Sequence, residues 1–156
     1  MELFPRRHYY FCQYCGTFEF IGGETPDGLH PVAATHPPLP CPLCETTLVR
    51  ALLDGGVEVL HCERCRGVLM PRAVFVQAID RRRGSARGPG TIPAPVDRRE
   101  LARTVTCPHC HQPMEVHPYY GPGNVIIDTC SRCDAVWLDS GELGQITEAP
   151  GKDRTG

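Results

Sequence analysis

The sequence predicts a small, mainly β, metal-stabilised fold: two hairpin-plus-short-helix units in tandem, joined by a flexible linker. Three observations carry this expectation. All ten cysteines fall into Cys-x-x-Cys pairs: Cys12/Cys15, Cys41/Cys44, Cys62/Cys65, Cys107/Cys110 and Cys130/Cys133. A stretch in the middle of the chain is repeated towards its C-terminal end. Glycine and proline, 16 of each in 156 residues, make up about a fifth of the chain, well above average usage.

Such a composition favours turns over long periodic elements, and modules this small usually need a staple. Two cysteines three apart on a tight turn present both sulfurs to one ion. A tetrahedral Zn²⁺ takes four such ligands, so two pairs close one site. A secreted disulfide scaffold would show varied spacings and a leader. The segment from Met1 to Phe20 is instead aromatic and polar, without an apolar core or a small-residue cleavage site. No apolar run approaches the length of a membrane span. The expectation is a reduced, cytoplasmic, metal-binding chain. Its formal net charge is −2 with neutral cysteines. Each four-thiolate zinc centre adds a net of about −2, so two filled sites bring the chain to about −6. The molecule as a whole is then no basic surface for a phosphate backbone.

Composition divides the chain into an aromatic N-terminal segment (1–38), a first cysteine module (39–80), a basic flexible linker (81–104), a second cysteine module (105–148) and a disordered tail (149–156). Both modules open with Cys-Pro-x-Cys and reach a Cys-x-Arg-Cys after 17 and 19 residues. Leu48 aligns with Met114, Val68 with Val136, and Leu69 with Trp137. The repeat pairs Cys41, Cys44, Cys62 and Cys65 on one ion, and Cys107, Cys110, Cys130 and Cys133 on another. A rival register would join Cys12/Cys15 to Cys41/Cys44, orphan Cys62/Cys65 and break the symmetry. Zinc suits these sets, and iron would accept the same four thiolates.

Within the first copy, Leu48–Leu53, Asp54-Gly55 and Val57–His61 read as strand, tight turn and strand. In the second, Met114–Tyr119 and Val125–Thr129 flank Gly121-Pro122-Gly123-Asn124. A short helix should follow each second cysteine pair. Pro71 suits the start of one, and Asp139 with Glu142 has capping-box spacing for the other.

The run Cys107-Pro108-His109-Cys110, then Cys130-Ser131-Arg132-Cys133, then Val136-Trp137-Leu138-Asp139-Ser140-Gly141-Glu142-Leu143 resembles the transcription factor IIB-type zinc-finger family. The likeness is close over 107–143. It is looser over 41–75, where Leu69, Pro71 and Val74 replace the Trp, Asp and Glu. It implies two zinc ribbons, and the family's name does not by itself imply DNA binding.

Cys12 and Cys15 are left over, giving two expected zinc ions, or three if that pair finds partners. His30 or His36, or else His8, would make an intrachain site, and a second chain would make a shared one. A free redox dithiol is the third reading, although a redox pair normally sits at a helix start and the aromatic surroundings here read as strand. His61, His109 and His111 read as neighbours of complete sites rather than ligands, and Trp137 as core packing. Arg81, Arg82 and Arg83, with Arg87, Arg98, Arg99 and Arg103, make 81–104 locally basic. They read as a solvated helix end and linker, or else as a nucleic-acid contact. Arg64, Arg66 and Arg132 would offset the thiolate charge.

No Ser/His/Asp set, Gly-rich phosphate loop or His-Glu-x-x-His motif is present. The functional expectation is a non-catalytic interaction or regulatory adaptor. It would take a protein partner or, through the basic linker, nucleic acid, with no membrane role. The alternative is a thiol-redox or zinc-release switch at Cys12/Cys15.

Overall fold

A computed structural model describes residues 1–4, 9–15, 17–20, 27–35, 37–54 and 56–151. Gly55, of the expected first turn, and residues 152–156 of the tail lie outside that set. Among the described residues the strands form two antiparallel sheets. Glu2–Phe4 (β1), Tyr9–Phe11 (β2) and Phe18–Phe20 (β3) make a three-stranded sheet in the order β1-β2-β3. The other strands are Leu29–Ala34 (β4), Val49–Leu53 (β5), Val57–His61 (β6), Val68–Pro71 (β7), Glu115–Pro118 (β8), Ile126–Cys130 (β9) and Ala135–Leu138 (β10). They form one seven-stranded sheet in the order β4-β5-β6-β7-β10-β9-β8. The helices are Arg72–Ser85 (α1), Arg98–Leu101 (α2) and Glu142–Glu148 (α3).

Both expected hairpins form, as β5-β6 and β8-β9. The two units are not independent, however. Their third strands pair, so one sheet runs through both. The register is Val68↔Leu138, Leu69↔Trp137 and Met70↔Val136. In the sequence repeat Val68 corresponds to Val136, Leu69 to Trp137, and Met70 to Leu138. Exchanging the two units therefore maps the ladder onto itself, and a local pseudo-two-fold axis passes between Leu69 and Trp137. The contact has the form of an isologous dimer interface, built within one chain.

Alternation along these strands sorts side chains into two layers. Val68, Met70, Val136 and Leu138 point to one face, where they pack with Phe75 and Ile79 of α1 and with Leu143 and Ile146 of α3. Leu69, Ala135 and Trp137 point to the other face, among the cysteines of both units. Trp137 is completely buried. Burying an indole removes about 200 Å² of mainly apolar surface from water, on the order of 5 kcal/mol by area.

Size complementarity across the axis explains how a tryptophan fits there. A Cβ on Gly67 would lie 2.1 Å from Trp137 Cζ2 and 2.5 Å from Cη2. The repeat places Ala135 in the position of Gly67 and Leu69 in that of Trp137. The larger apolar residue thus accompanies the smaller neighbour, in both halves.

The segment expected to be a flexible linker from residue 81 begins inside a helix. Pro71 is the N-cap of α1 rather than its first residue, and α1 runs for 14 residues through Arg81, Arg82 and Arg83. Arg82 binds Asp54 with 2.6 and 2.8 Å bonds. Arg83 donates to the Ile146 carbonyl at 2.9 Å and to that of Gly151. Farther along, Asp97 caps α2 by accepting from Arg99 N at 3.0 Å. The N-terminal segment is likewise divided: β4 extends the large sheet against β5, whereas β1-β2-β3 stand apart from its ladder.

Gly67→Ala should lower stability by about 2 kcal/mol through overpacking, read as a fall in the thermal midpoint of the zinc-loaded protein. Combining it with Trp137→Leu should restore more than half of the loss left by simple addition. Strict additivity of the two changes would refute the size match.

Candidate metal centres

Each cysteine pair lies on one recurring turn. In the first ribbon the N–H of Cys41 donates to the carbonyl of Thr46 at 2.8 Å, and that of Cys62 to Gly67 at 3.0 Å. In the second ribbon Cys107 donates to Gln112 at 2.9 Å. The residue four after the leading cysteine is left-handed each time: Glu45, Arg66, His111 and Asp134, with φ between 52° and 62°. Four non-glycine residues in a region that normally favours glycine show how strongly the turn is imposed. Its effect is to point both sulfurs the same way and to turn backbone N–H groups towards them. Leu43 N lies 3.4 Å from Cys41 Sγ, Cys65 N 3.5 Å from Cys62 Sγ, and Cys133 N 3.4 Å from Cys130 Sγ.

These turns meet in pairs. Cys41, Cys44, Cys62 and Cys65 bring four Sγ atoms within 4.8 Å of one another, and so do Cys107, Cys110, Cys130 and Cys133. Facing sulfurs are 3.5 Å apart for Cys41/Cys65 and Cys44/Cys62, and 3.6 Å apart for Cys110/Cys130. Two sulfurs at tetrahedral angles on zinc would be about 3.8 Å apart, so the donor sets fit that ion with little adjustment. The chain carries two four-cysteine zinc sites. With all four ligands from the protein, each is closed and structural in type.

The thiols set one another's acidity. Hydrogen bonding with Cys41 draws Cys62 down to about 2. Hydrogen bonding with Cys41, and then with Cys44 and Cys62, pushes Cys65 well up. Hydrogen bonding with Cys65 lowers Cys44 to about 6. In the second site the backbone at Gln112 lowers Cys110 to about 7. A dication that binds either set therefore displaces only the protons that remain, and affinity rises with pH.

The Trp-Leu-Asp-x-Gly-Glu-Leu stretch is a bracket that ties the second site to α3. Trp137 Nε1 donates to Asp139 Oδ1 at 2.8 Å, and Asp139 N donates to Glu142 Oε2 at 2.7 Å. Half of the expected capping box is thus present. Asp139 itself is not the cap: Gly141, with φ 82°, holds that position. The side-chain acceptor for this helix comes from far away in sequence. Asp27 accepts from Gly141 N at 2.9 Å and from Gly144 N at 3.3 Å. Burial pushes its carboxyl up despite these bonds.

Arg103, counted with the linker bases, bridges two buried carboxylates. Its Nη1 reaches Asp139 Oδ2 and its Nη2 reaches Asp128 Oδ2, both at 2.6 Å. Neither Asp27 nor Arg103 carried a sequence signal for this role. Only the closeness of Arg103 to Cys107 hinted at a place beside the site.

The remaining sequence candidates fall as follows. His61 is buried, donates from Nδ1 to the Gly67 carbonyl at 3.2 Å, and is held towards its neutral form by burial. His109 and His111 lie on the Cys107/Cys110 turn and belong to no ligand group among the described residues. Arg66 lies over the Phe20 ring at 3.9 Å. Cys12 and Cys15 are apart from both sites. His30 is an exposed member of β4 opposite Leu52, and no group among the described residues joins it to Cys12 and Cys15. His36 and His8 lie outside the described residues.

The comparisons agree with this geometry. Residues 106–149, just over a quarter of the chain, match the family model described as a transcription factor zinc-finger, of the TFIIB zinc-ribbon type. That segment holds the whole second site and α3. No curated protein and no solved structure matches the chain.

Cys62→Ser and Cys130→Ser should each cut bound zinc from about two ions per chain to about one, by elemental analysis. Because one ladder joins the ribbons, either change should also raise amide exchange in the strand of the other unit across the axis. Arg103→Ala should cost about 3 kcal/mol in chemical unfolding, since it leaves two buried carboxylates without their cation. A loss below about 1 kcal/mol would mean that the bridge is weak.

Proposed function

We propose that the chain is a non-catalytic adaptor whose two zinc ribbons form a platform for a protein partner. The observation that carries this reading is an unequal pair of grooves related by the pseudo-two-fold axis. On one side Leu43 lies in a cavity with Tyr9, Phe11, Phe18, Asp97, Arg99, Glu100 and Arg103; Arg103 also engages Asp128 and Asp139, which do not line it. The repeat relates Leu43 to His109, Asp128 to Leu60, and Asp139 to Pro71. Those three mates line a cavity of about 260 Å³ on the other side, with Leu69, Met70 and Ala135. Where the first side has acids neutralised by an arginine, the second has Leu60, Leu69, Met70, Pro71 and Ala135 in its walls, beside Glu58, His109 and Cys133. An apolar side chain from a partner would complement those walls.

Further support comes from charge and from the sites. Four-thiolate centres keep no position for water or substrate, and ribbons of this family are typically structural. Arg82 and Arg83, the centre of the basic run, are engaged by Asp54 and by backbone carbonyls. A protein partner is therefore favoured over nucleic acid, as is a role that needs zinc for shape rather than chemistry.

Mixed-sequence duplex DNA and single-stranded RNA should show no binding in fluorescence anisotropy at low salt. Affinity tighter than about 10 µM that falls steeply with salt would replace this reading with a nucleic-acid one. Leu60→Glu should keep about two zinc ions per chain and abolish retention of whichever cellular protein zinc-loaded chain captures and chelated chain does not. Unchanged retention would sink the groove as the binding surface.

A further inference from the structure

The N-terminal sheet repeats the ribbon's own strand pairing. In the first ribbon Val49 pairs with His61, and His61 with Val68, across β5-β6-β7. In the second ribbon Glu115 pairs with Thr129, and Thr129 with Val136, across β8-β9-β10. In the N-terminal sheet Glu2 pairs with Phe11, and Phe11 with Phe18, across β1-β2-β3. In all three units the residue paired on both sides stands immediately before a Cys-x-x-Cys turn, and the third strand follows that turn. Cys12/Cys15 thus correspond to Cys62/Cys65 and Cys130/Cys133, the second half of each four-thiolate site.

The turn itself is the metal-binding one. Cys12 N donates to the Thr17 carbonyl at 2.9 Å, as Cys62 N does to Gly67 at 3.0 Å. Cys15 Sγ lies 3.0 Å from Thr17 Oγ1, repeating the contact of Cys44 Sγ with Thr46 Oγ1 at 3.5 Å. Gly16, at the position that is left-handed in the other four turns, lies outside the described residues. Unlike the other pairs, this one faces solvent. Cys15 and Tyr14 are exposed, and among the described residues no third ligand joins the pair.

We infer that Cys12 and Cys15 are half of a third zinc site, closed by the same pair from a second copy of this chain. The two copies would share one ion through four thiolates, on a two-fold axis through that ion. A thiophilic ion with two cysteine ligands needs two more soft donors for a tetrahedral set. A second copy carries them in the same preformed turn at an exposed edge, so closure needs no refolding and is isologous.

The test is zinc content together with mass in solution, on full-length chain purified without oxygen and held in zinc just above stoichiometric amounts. A shared ion gives about 2.5 zinc ions per chain in a dimer, the half-ion following from a site on the two-fold axis. Cys12→Ser/Cys15→Ser should return about two ions per chain and a monomer, with an unchanged circular dichroism spectrum. About two ions per wild-type chain with two freely reacting thiols would overturn the inference in favour of a dithiol. About three ions in a monomer would overturn it in favour of ligands from the same chain, such as a histidine. Neither outcome bears on the groove, so this inference and the adaptor reading fail independently.

Discussion

The ladder between β7 and β10 is the contact on which the rest of the molecule depends. Each ribbon alone is three strands and two cysteine turns, with too little apolar surface to close a core on either face. Pairing third strand to third strand gives one sheet with two faces to cover. Both metal sites gather on one face around Leu69 and Trp137, and both long-range helical contacts gather on the other. The pairing also places Trp137 on the pseudo-axis, where only Gly67 leaves room for its ring. Metal binding and sheet formation are then one event. The second turn of each ribbon, at Cys62 and at Cys130, leads directly into the strand that meets its mate, so zinc that holds the turn also holds the interface.

Charge follows the same economy. A four-thiolate zinc centre is a net dianion, and it sits in a buried cluster, where unanswered charge is expensive. Backbone N–H groups turned onto the sulfurs meet part of that demand. Near the second site Asp128 and Asp139 are nearly inaccessible and are answered by Arg103. Along the surface four arginines among the described residues find acids close by: Arg50 with Glu58, Arg72 with Asp134, Arg82 with Asp54, Arg99 with Glu2. Within the stretch that looks basic in sequence, Arg82, Arg99 and Arg103 are thus paired with carboxylates in three dimensions. Local charge counts read along a chain miss this, because the neutralising partners lie tens of residues away.

What the sequence revealed, and what it withheld, divides by the range of the interaction. Cysteine spacing and the internal repeat are local patterns, and they identified both ligand sets, both hairpins and the buried Trp137. The capping signal at Asp139 and Glu142 was half right. Glu142 does bind the backbone of Asp139, but the Trp137 indole and Arg103 draw the aspartate side chain away, and Asp27 caps the helix instead. A carboxylate more than a hundred residues upstream leaves no trace in a window of sequence. The ladder between the ribbons was equally invisible as a periodicity. A trace of it existed in the alignment of the copies, where Gly67/Trp137 faces Ala135/Leu69. Read as compensating sizes, those four residues argue that the copies touch. The boundary drawn at residue 81 falls inside α1, while the reading of Arg81–Arg83 as a helix end holds: arginine is a good helix former, and these residues extend α1 to Ser85.

The three units share one strand register but differ in how each is completed, and those differences are where function can enter. A perfectly symmetric duplication would present the same groove twice and close every cysteine pair in the same way. Two of the breaks in that symmetry bear on what the chain can bind. Asp128 and Asp139 replace Leu60 and Pro71, which engages Arg103 on one side and leaves apolar residues in those positions on the other. The N-terminal copy keeps the strand order and the cysteine turn of a ribbon, and it packs against the first ribbon through Phe18 and through Phe20 under Arg66. Phe18 and Phe20 are thereby spent inward while Cys15 faces out. A buried four-thiolate site is fixed by its own fold, whereas an exposed pair on a preformed turn leaves its remaining ligands to be supplied by what it meets. Structural zinc and interaction therefore use the same local geometry here, separated only by whether the fold itself closes the ligand set.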